Sequence, residues 1–290
     1  MSEAASRAPG RAQPMKKRPV AVVKVGGEVL LDNDEKRGLA SNVRALLDEG
    51  FDVAVLHGGG PQVSRLQEKL GLKPTKVGGR RITSPDDLVV VEQAICGEVN
   101  VALTCALLEG GVNAFGLHGA SGRLIRASKR PASVVPGGGP DPVDFGEVGD
   151  VESVDAGLIF GLFHLALVPV IATLGVTSTG GRAFNINADT TATRLAAALD
   201  ADVLLLVTKV GGVYRDLADA ASRFDHLTEQ SARALIAEGV IEGGMIPKVE
   251  EALAVLAEGV SSIAIVGAQE PGAFARVALG QGGAGTRITA

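Results

Sequence analysis

Two lysines stand where a positive charge is costly. Lys24 is the only charged residue in the apolar run 19–25, two residues before Gly26-Gly27, and a lysine in a buried strand is expensive unless it meets an anion. Lys248 opens a helix read over 247–258, after Gly243-Gly244-Met245-Ile246, where the helix dipole is already positive. A bound anion would compensate both, although a snorkelling edge lysine and a solvated helix lysine are the plainer alternatives. Asn185-Ile186-Asn187-Ala188-Asp189 leads into another helix. Asn187 as N-cap and Asp189 as a first-turn acid would explain that segment structurally. The functional alternative has Asn185 holding a polar substrate and Asp189 orienting cationic side chains.

Glycine numbers 39 in 290 residues, about twice the usual ~7%. Three clusters follow apolar runs read as strands: Gly26-Gly27, Gly58-Gly59-Gly60 and Gly211-Gly212. In open α/β sheets, ligands bind beyond the carboxyl ends of strands, where glycine lets backbone N–H groups approach an anion. Each cluster alone is explained by a tight turn; the three together predict one anion-rich site. Other chemistries lack their patterns. No Gly-Lys pair exists for a P-loop, and Gly280-Gln281-Gly282-Gly283-Ala284-Gly285 follows a helix rather than a strand. His57, His118, His164 and His226 show no metal-ligand spacing, and His57 reads as a packed or loop-orienting residue. No G-x-S-x-G elbow occurs.

The elements that must position these residues alternate between short β-branched runs and longer amphipathic ones, the pattern of a mostly parallel sheet covered by helices. Strands are expected at 19–25, 52–57, 112–117, 124–127, 168–173, 202–208 and 262–266, with a turn and a short strand within 178–187, and helices at 34–49, 61–70, 85–109, 154–166, 188–199, 228–238, 247–258 and 271–279. Residues 1–18 read as a disordered tail, 19–178 as a first lobe and 179–290 as a second. The net charge of −5 and 3% aromatics argue against a nucleic-acid partner. No apolar stretch reads as long enough to span a bilayer, which takes about 18 residues. Cys96 and Cys105, nine residues apart on one helix, point to opposite sides at about 100° per residue. Both are expected to be buried thiols in a reducing, cytoplasmic setting.

Lys24-Val25-Gly26-Gly27, His57-Gly58-Gly59-Gly60-Pro61-Gln62, Arg81-Ile82-Thr83, Asn185-Ile186-Asn187-Ala188-Asp189 and Gly243-Gly244-Met245-Ile246-Pro247-Lys248 together resemble the amino acid kinase superfamily, and within it the acetylglutamate kinases, from about residue 19 to Thr286. The resemblance implies an open three-layer αβα sandwich that phosphorylates the γ-carboxylate of N-acetyl-L-glutamate with MgATP, in arginine biosynthesis. It implies that the first lobe holds the amino acid and the second the nucleotide. Lys24 and Lys248 would stabilise the transferring phosphoryl group, with Asp189 holding them and Gly27 and Gly59 supplying N–H groups. Gly59, Gly60, Arg81 and Asn185 would bind substrate. The nucleotide would lie against Lys209, Gly211, Gly212 and Tyr214, and against the segment containing Ile241 and Gly244. Magnesium would arrive with the nucleotide, and no protein metal site is expected. A carboxylate nucleophile is already ionised, so positioning and charge stabilisation suffice without a general base.

Three departures from the resemblance stand out. Lys209 occupies a position where relatives usually carry Asp, and Arg80-Arg81 replaces the more usual Leu-Arg. The apolar N-terminal helix and Tyr-Gly-Gly-Asn start shared by arginine-inhibited members are missing, which implies a homodimer without that inhibitory assembly. A sister kinase acting on carrier-linked α-aminoadipate or glutamate would want a basic rim, for which Arg123, Arg126, Lys129 and Arg130 are candidates. A non-catalytic amino-acid sensor on the same fold would not need the two lysines and Asp189.

Overall fold

The computed structural model describes residues 18–242 and 245–290. It opens with β1 (Val20–Val25), α1 (Asn33–Asp48), β2 (Asp52–His57) and α2 (Gly60–Lys69). A short hairpin of β3 (Lys76–Val77) and β4 (Arg80–Arg81) precedes one long helical rod: α3 (Pro85–Val91), a π-helical stretch Glu92–Val99, and α4 (Asn100–Glu109). Next come β5 (Ala114–His118), β6 (Ile125–Lys129), β7 (Val148–Val154), α5 (Ala156–His164), β8 (Val168–Ala172), β9 (Leu174–Val176) and β10 (Ala183–Ile186). Then follow α6 (Ala188–Ala198), β11 (Val203–Val207), β12 (His226–Thr228), α7 (Glu229–Ala237), α8 (Ile246–Ala257), β13 (Ile263–Val266), α9 (Ala273–Ala278) and β14 (Thr286–Thr289).

Eight strands form the central sheet in the order β12-β14-β13-β11-β1-β2-β8-β5, parallel throughout except at β13–β14. Alternate side chains sort the sheet into two cores. Val20 and Val22 of β1 and Leu204 and Leu206 of β11 pack with residues of α5, α6 and α8. Ala21, Val23, Val203 and Leu205 pack on the opposite face with residues of α1, α4 and α9. The result is the mostly parallel three-layer α/β sandwich expected.

Strands β10, β7, β6 and β9 close into a small separate barrel. Its interior is tight: a Cβ added at Gly149 would lie 2.8 Å from Phe184 Cβ, and one at Gly175 2.7 Å from Ala127 Cβ. β10 follows residue 178 yet completes this barrel, and the large sheet draws strands from both sides of that point. Arg18 is anchored by Gly50 O at 2.9 Å and Asp52 at 3.2 Å, so it belongs to the fold; the rest of the expected tail lies outside the described residues.

Two expectations about the long rod are corrected. Cys105 is exposed and Cys96 half-buried, because Cys105 lies on the outer side of α4 with Val101 and Leu108, which are 59% and 49% exposed. The rod Pro85–Glu109 is also 25 residues long and contains an 18-residue stretch of mean hydropathy 1.5, enough by length and composition to cross a membrane. Its inner side is instead a core surface: Leu103 and Leu107 are fully buried with α1 and the sheet.

Asn42, fully buried on α1, ties that helix to the segment running from β13 into α9. Its Nδ2 donates to Ala268 O at 2.8 Å and Glu270 O at 3.0 Å, and its Oδ1 accepts from Phe274 N–H at 3.3 Å. Truncation would leave several buried backbone groups unpaired. Asn42→Ala is expected to lower stability by about 2–4 kcal/mol, measured by urea unfolding at neutral pH.

Candidate active site

Strand parity decides where Lys24 points. Val20 and Val22 face the layer containing α6, so Lys24 faces it too, at the carboxyl end of β1 where α6 begins. Asn187 caps α6, its side-chain oxygen accepting from Asp189 and Thr190 N–H, each at 2.9 Å. Asp189 is thereby fixed in the first turn, where it forms an ion pair with Lys24. The two side chains are 15% and 29% exposed.

Two glycine turns meet beside this pair. Gln62 Nε2 donates to Gly27 O at 2.9 Å, and a Cβ at Gly27 would come within 2.8 Å of Pro61 Cδ and 3.3 Å of Gly60 N. Glycine at 27 is therefore what lets the first loop reach the N-terminus of α2. Together the loops border a cleft of about 410 Å³ into which Lys24, Gly27, Gly59, Gly60, Arg81, Asn185 and Asp189 all open.

Arg81 reaches the cleft from the β3–β4 hairpin. Its Nη2 donates to Gly60 O at 3.0 Å and Ser64 Oγ at 2.8 Å, and its Nη1 to Gln67. Gln67 in turn donates to Asp87. Burial lowers the Arg81 pKa against the opposing charge of Asp87. Burial would raise Asp87, but bonds from Ser84 and Gln67 and the charge of Arg81 outweigh it and hold the carboxyl below its ordinary value. Asn185 Nδ2 donates to Thr83 Oγ1 at 3.1 Å, and its Oδ1 accepts no hydrogen bond among the described residues.

Residues 19–267 match the amino acid kinase family. The chain belongs to that family. An acetylglutamate kinase of Anaeromyxobacter sp. (strain Fw109-5) is 47% identical over 265 residues, 91% of this chain and 97% of the relative. One from Sorangium cellulosum (strain So ce56) is 48% identical, covering 91% and 93%. Among solved structures, smu.665 from Streptococcus mutans UA159 is similar with a TM-score of 0.69 at 29% identity, covering 93% of this chain and 98% of that one.

The other expected site residues of this amino acid kinase lie apart from the cleft. Lys209, Gly211 and Tyr214 line a second depression of about 310 Å³ with Glu35, Gln269 and Glu270. The third glycine cluster follows β11, the strand paired with β1, and Gly26 N–H donates to Val207 O at 3.4 Å, so this depression opens at the same carboxyl end of the sheet as the cleft. Burial raises the Glu35 pKa, opposed by a hydrogen bond from Gln269 and the charge of Lys209. Gly212 packs against Arg223, where a Cβ would lie 2.7 Å from Cδ. Ile241 is buried in the core, and Lys248 stands half-buried in the first turn of α8 rather than among the cleft-lining residues. Gly244 lies outside the described residues.

Sequence reasoning missed Gln67 and Asp87, although Ser84 and Asp87 have capping-box spacing and do form one. Arg130, read from the sequence only as part of a basic rim, lines the cleft and pairs with Asp150 at 2.6 Å, and the partner of His57 was not foreseen. His57 is fully buried at the end of β2, with Nδ1 2.9 Å from Gly58 O and Nε2 2.9 Å from Asn100 Nδ2. Burial lowers its pKa from 6.5 to about 4, against the hydrogen bond to Gly58. Unfolding between those values takes up a proton. The stability contributed by neutral His57 is therefore complete above pH 6.5 and falls by about 3 kcal/mol as the pH drops to about 4. Denaturant titrations from pH 4 to 7 should show a flatter dependence in His57→Asn than in the parent.

Proposed function

We infer that this chain is an acetylglutamate kinase, transferring the γ-phosphoryl group of ATP to the γ-carboxylate of N-acetyl-L-glutamate in arginine biosynthesis. The observation that carries the reading is the Lys24–Asp189 pair opening into the same cleft as two glycine turns, Arg81 and Asn185, in a chain 47% identical to a named acetylglutamate kinase over nearly its whole length. The reaction brings one anion against another. A lysine charge and backbone N–H groups offset that repulsion as the phosphoryl group passes between oxygens.

In our assignment Lys24 meets the transferring phosphoryl group and Asp189 holds its ammonium in place. Gly27 and Gly59 donate N–H groups to the same oxygens, and Lys248 approaches from the nucleotide side when the two halves close. The Arg81 fork, preset by Gln67, Ser64 and Gly60 O, takes the α-carboxylate of the substrate. Asn185 Oδ1 accepts from the acetamido N–H. We place the substrate half of the chain before about residue 178, with Asn185 reaching back to it. The nucleotide half follows, with ATP over Lys209, Gly211, Gly212, Tyr214, Ile241 and Gly244. We assign magnesium to the nucleotide, whose phosphates and bound water would supply most of its ligands; of the carboxylates lining the cleft, Asp189 is paired with Lys24.

The carrier-linked alternative is less favoured, because Lys129 and Arg130 of its basic rim are engaged by Asp144 and Asp150. A hydroxamate assay with MgATP should give product with N-acetylglutamate in preference to glutamate, aspartate or aminoadipate. Lys24→Met should remain folded and lose about 10²- to 10⁴-fold in kcat.

We further propose that the protein acts as a homodimer. β5 is an edge strand of the sheet, flanked by the exposed apolar residues Val101 and Leu108 on one side and Phe115, 44% exposed, in the strand itself. An open apolar edge of this kind invites pairing with a second copy. Light scattering should report a dimer for the parent and a monomer for Val101→Glu/Leu108→Glu.

A further inference from the structure

The cleft depends on a peptide that has no side chain of its own to steer it. Gly58 and Gly59 join β2 to α2, and among the described residues nothing accepts from the Gly59 N–H. The Gly58 carbonyl, by contrast, lies 2.9 Å from His57 Nδ1. A carbonyl oxygen only accepts, so Nδ1 carries the proton. Asn100 closes the argument from the other side. Its Nδ2 lies 2.8 Å from Val170 O on β8 and 3.3 Å from Leu117 O on β5, which fixes the amide as a donor toward those carbonyls and toward His57 Nε2 at 2.9 Å. His57 is thus held as one tautomer, with Nε2 accepting and Nδ1–H donating.

A peptide is planar and trans, so its C=O and N–H point in opposite directions. A carbonyl turned back toward the His57 ring leaves the Gly59 N–H aimed the other way, toward the cleft that Gly59 and Gly60 border. The long rod confines the same residue. A Cβ at Gly59 would lie 3.1 Å from Ile95 Cγ1 and 3.4 Å from Val99 Cγ2. Both belong to the π-helical stretch, and Asn100 follows it directly. The widened turn presents two apolar contacts to Gly59 and then the amide to His57; π-helical turns recur at functional sites.

We propose that His57 and Asn100 are positioning residues for phosphoryl transfer, holding the Gly58–Gly59 peptide so that its N–H faces the transferring group. This rests on the kinase reading above. Neither residue touches substrate; they act through the peptide. A freely tilting peptide would still bind ground-state ligands but would meet the transition state less often, so the loss falls on kcat rather than on the KM for ATP.

Two measurements test it. Long-range ¹H–¹⁵N correlation spectra of the full chain at pH 7 should show His57 as the neutral Nδ1–H tautomer, and an Nε2–H or charged ring would overturn the proposal. Steady-state kinetics then compare His57→Phe, which fills the space without a donor, with His57→Asn, which keeps an N–H near the Nδ1 position. His57→Phe should lose about 10- to 100-fold in kcat, with KM for ATP within about twofold and unchanged circular dichroism at the assay temperature. His57→Asn should recover most of that loss. Equal loss in both variants, or a folded His57→Phe with parental kcat, refutes the positioning role. A parent that phosphorylates none of the four acids named above defeats the kinase reading alone, and the tautomer still decides the geometry at His57.

Discussion

A single positive charge inside an otherwise apolar strand governs this structure. Lys24 lies in β1, between β11 and β2 at the middle of the sheet, where an unpaired ammonium would be prohibitive. Asp189 neutralises part of that cost, and it can do so because Asn187 starts α6 at the right place. The acid is drawn to the positive end of the helix dipole and to the lysine at once. Position and charge are thus set by backbone elements, and the ammonium remains open to the cleft.

The rest of the site is organised so that groups without freedom to adjust are held from behind. Gln62 anchors the Gly27 carbonyl, His57 the Gly58 carbonyl, and Gln67 and Ser64 the Arg81 fork. Each supporting group is a polar side chain on α2 or at the end of β2, and Gln62, Gln67 and His57 are all buried. Preorganised dipoles of this kind suit a reaction whose barrier is mainly electrostatic, because no reorganisation is required as charge moves. Basic residues outside the cleft are engaged differently, as the Lys129–Asp144 and Arg182–Glu147 pairs show: water screens such pairs, and they add little to stability.

Much of the fold was legible because its central strands and covering helices carry strong patterns. The runs at β1, β2, β8, β11 and β13 are buried on both faces and read as near-continuous apolar segments. Of the small barrel, β6 and β10 had a sequence signal, whereas β7, β9 and the sheet margins did not. β7 reads Val-Gly-Asp-Val-Glu-Ser-Val, too polar to announce a strand, and β9, β12 and the β3–β4 hairpin have only two or three residues each. β12 in addition takes its hydrogen bonds from a partner distant in the chain, β14, some sixty residues later. The glycine excess divides along the same line: Gly26, Gly27 and Gly58 to Gly60 border the cleft, whereas Gly149 and Gly175 are there because the barrel has no room for a Cβ.

The sequence by itself determined the chemistry that is possible here: a lysine in an apolar strand, an acid after an N-cap, glycines after strands, and an order of motifs that marks an amino acid kinase. Those features are local, and local spacing records them. Only the tertiary structure decided which of them meet. Strand parity sends Lys24 toward α6, and parallel pairing brings the ends of β11, β1 and β2 side by side, with Lys209 and Gly211 lining a depression shared with Glu35. It also joins His57 to Asn100 across 43 residues and leaves Cys105 on an exposed helix face. Such pairings depend on how helices and strands pack in three dimensions, and no spacing along one chain encodes that distance.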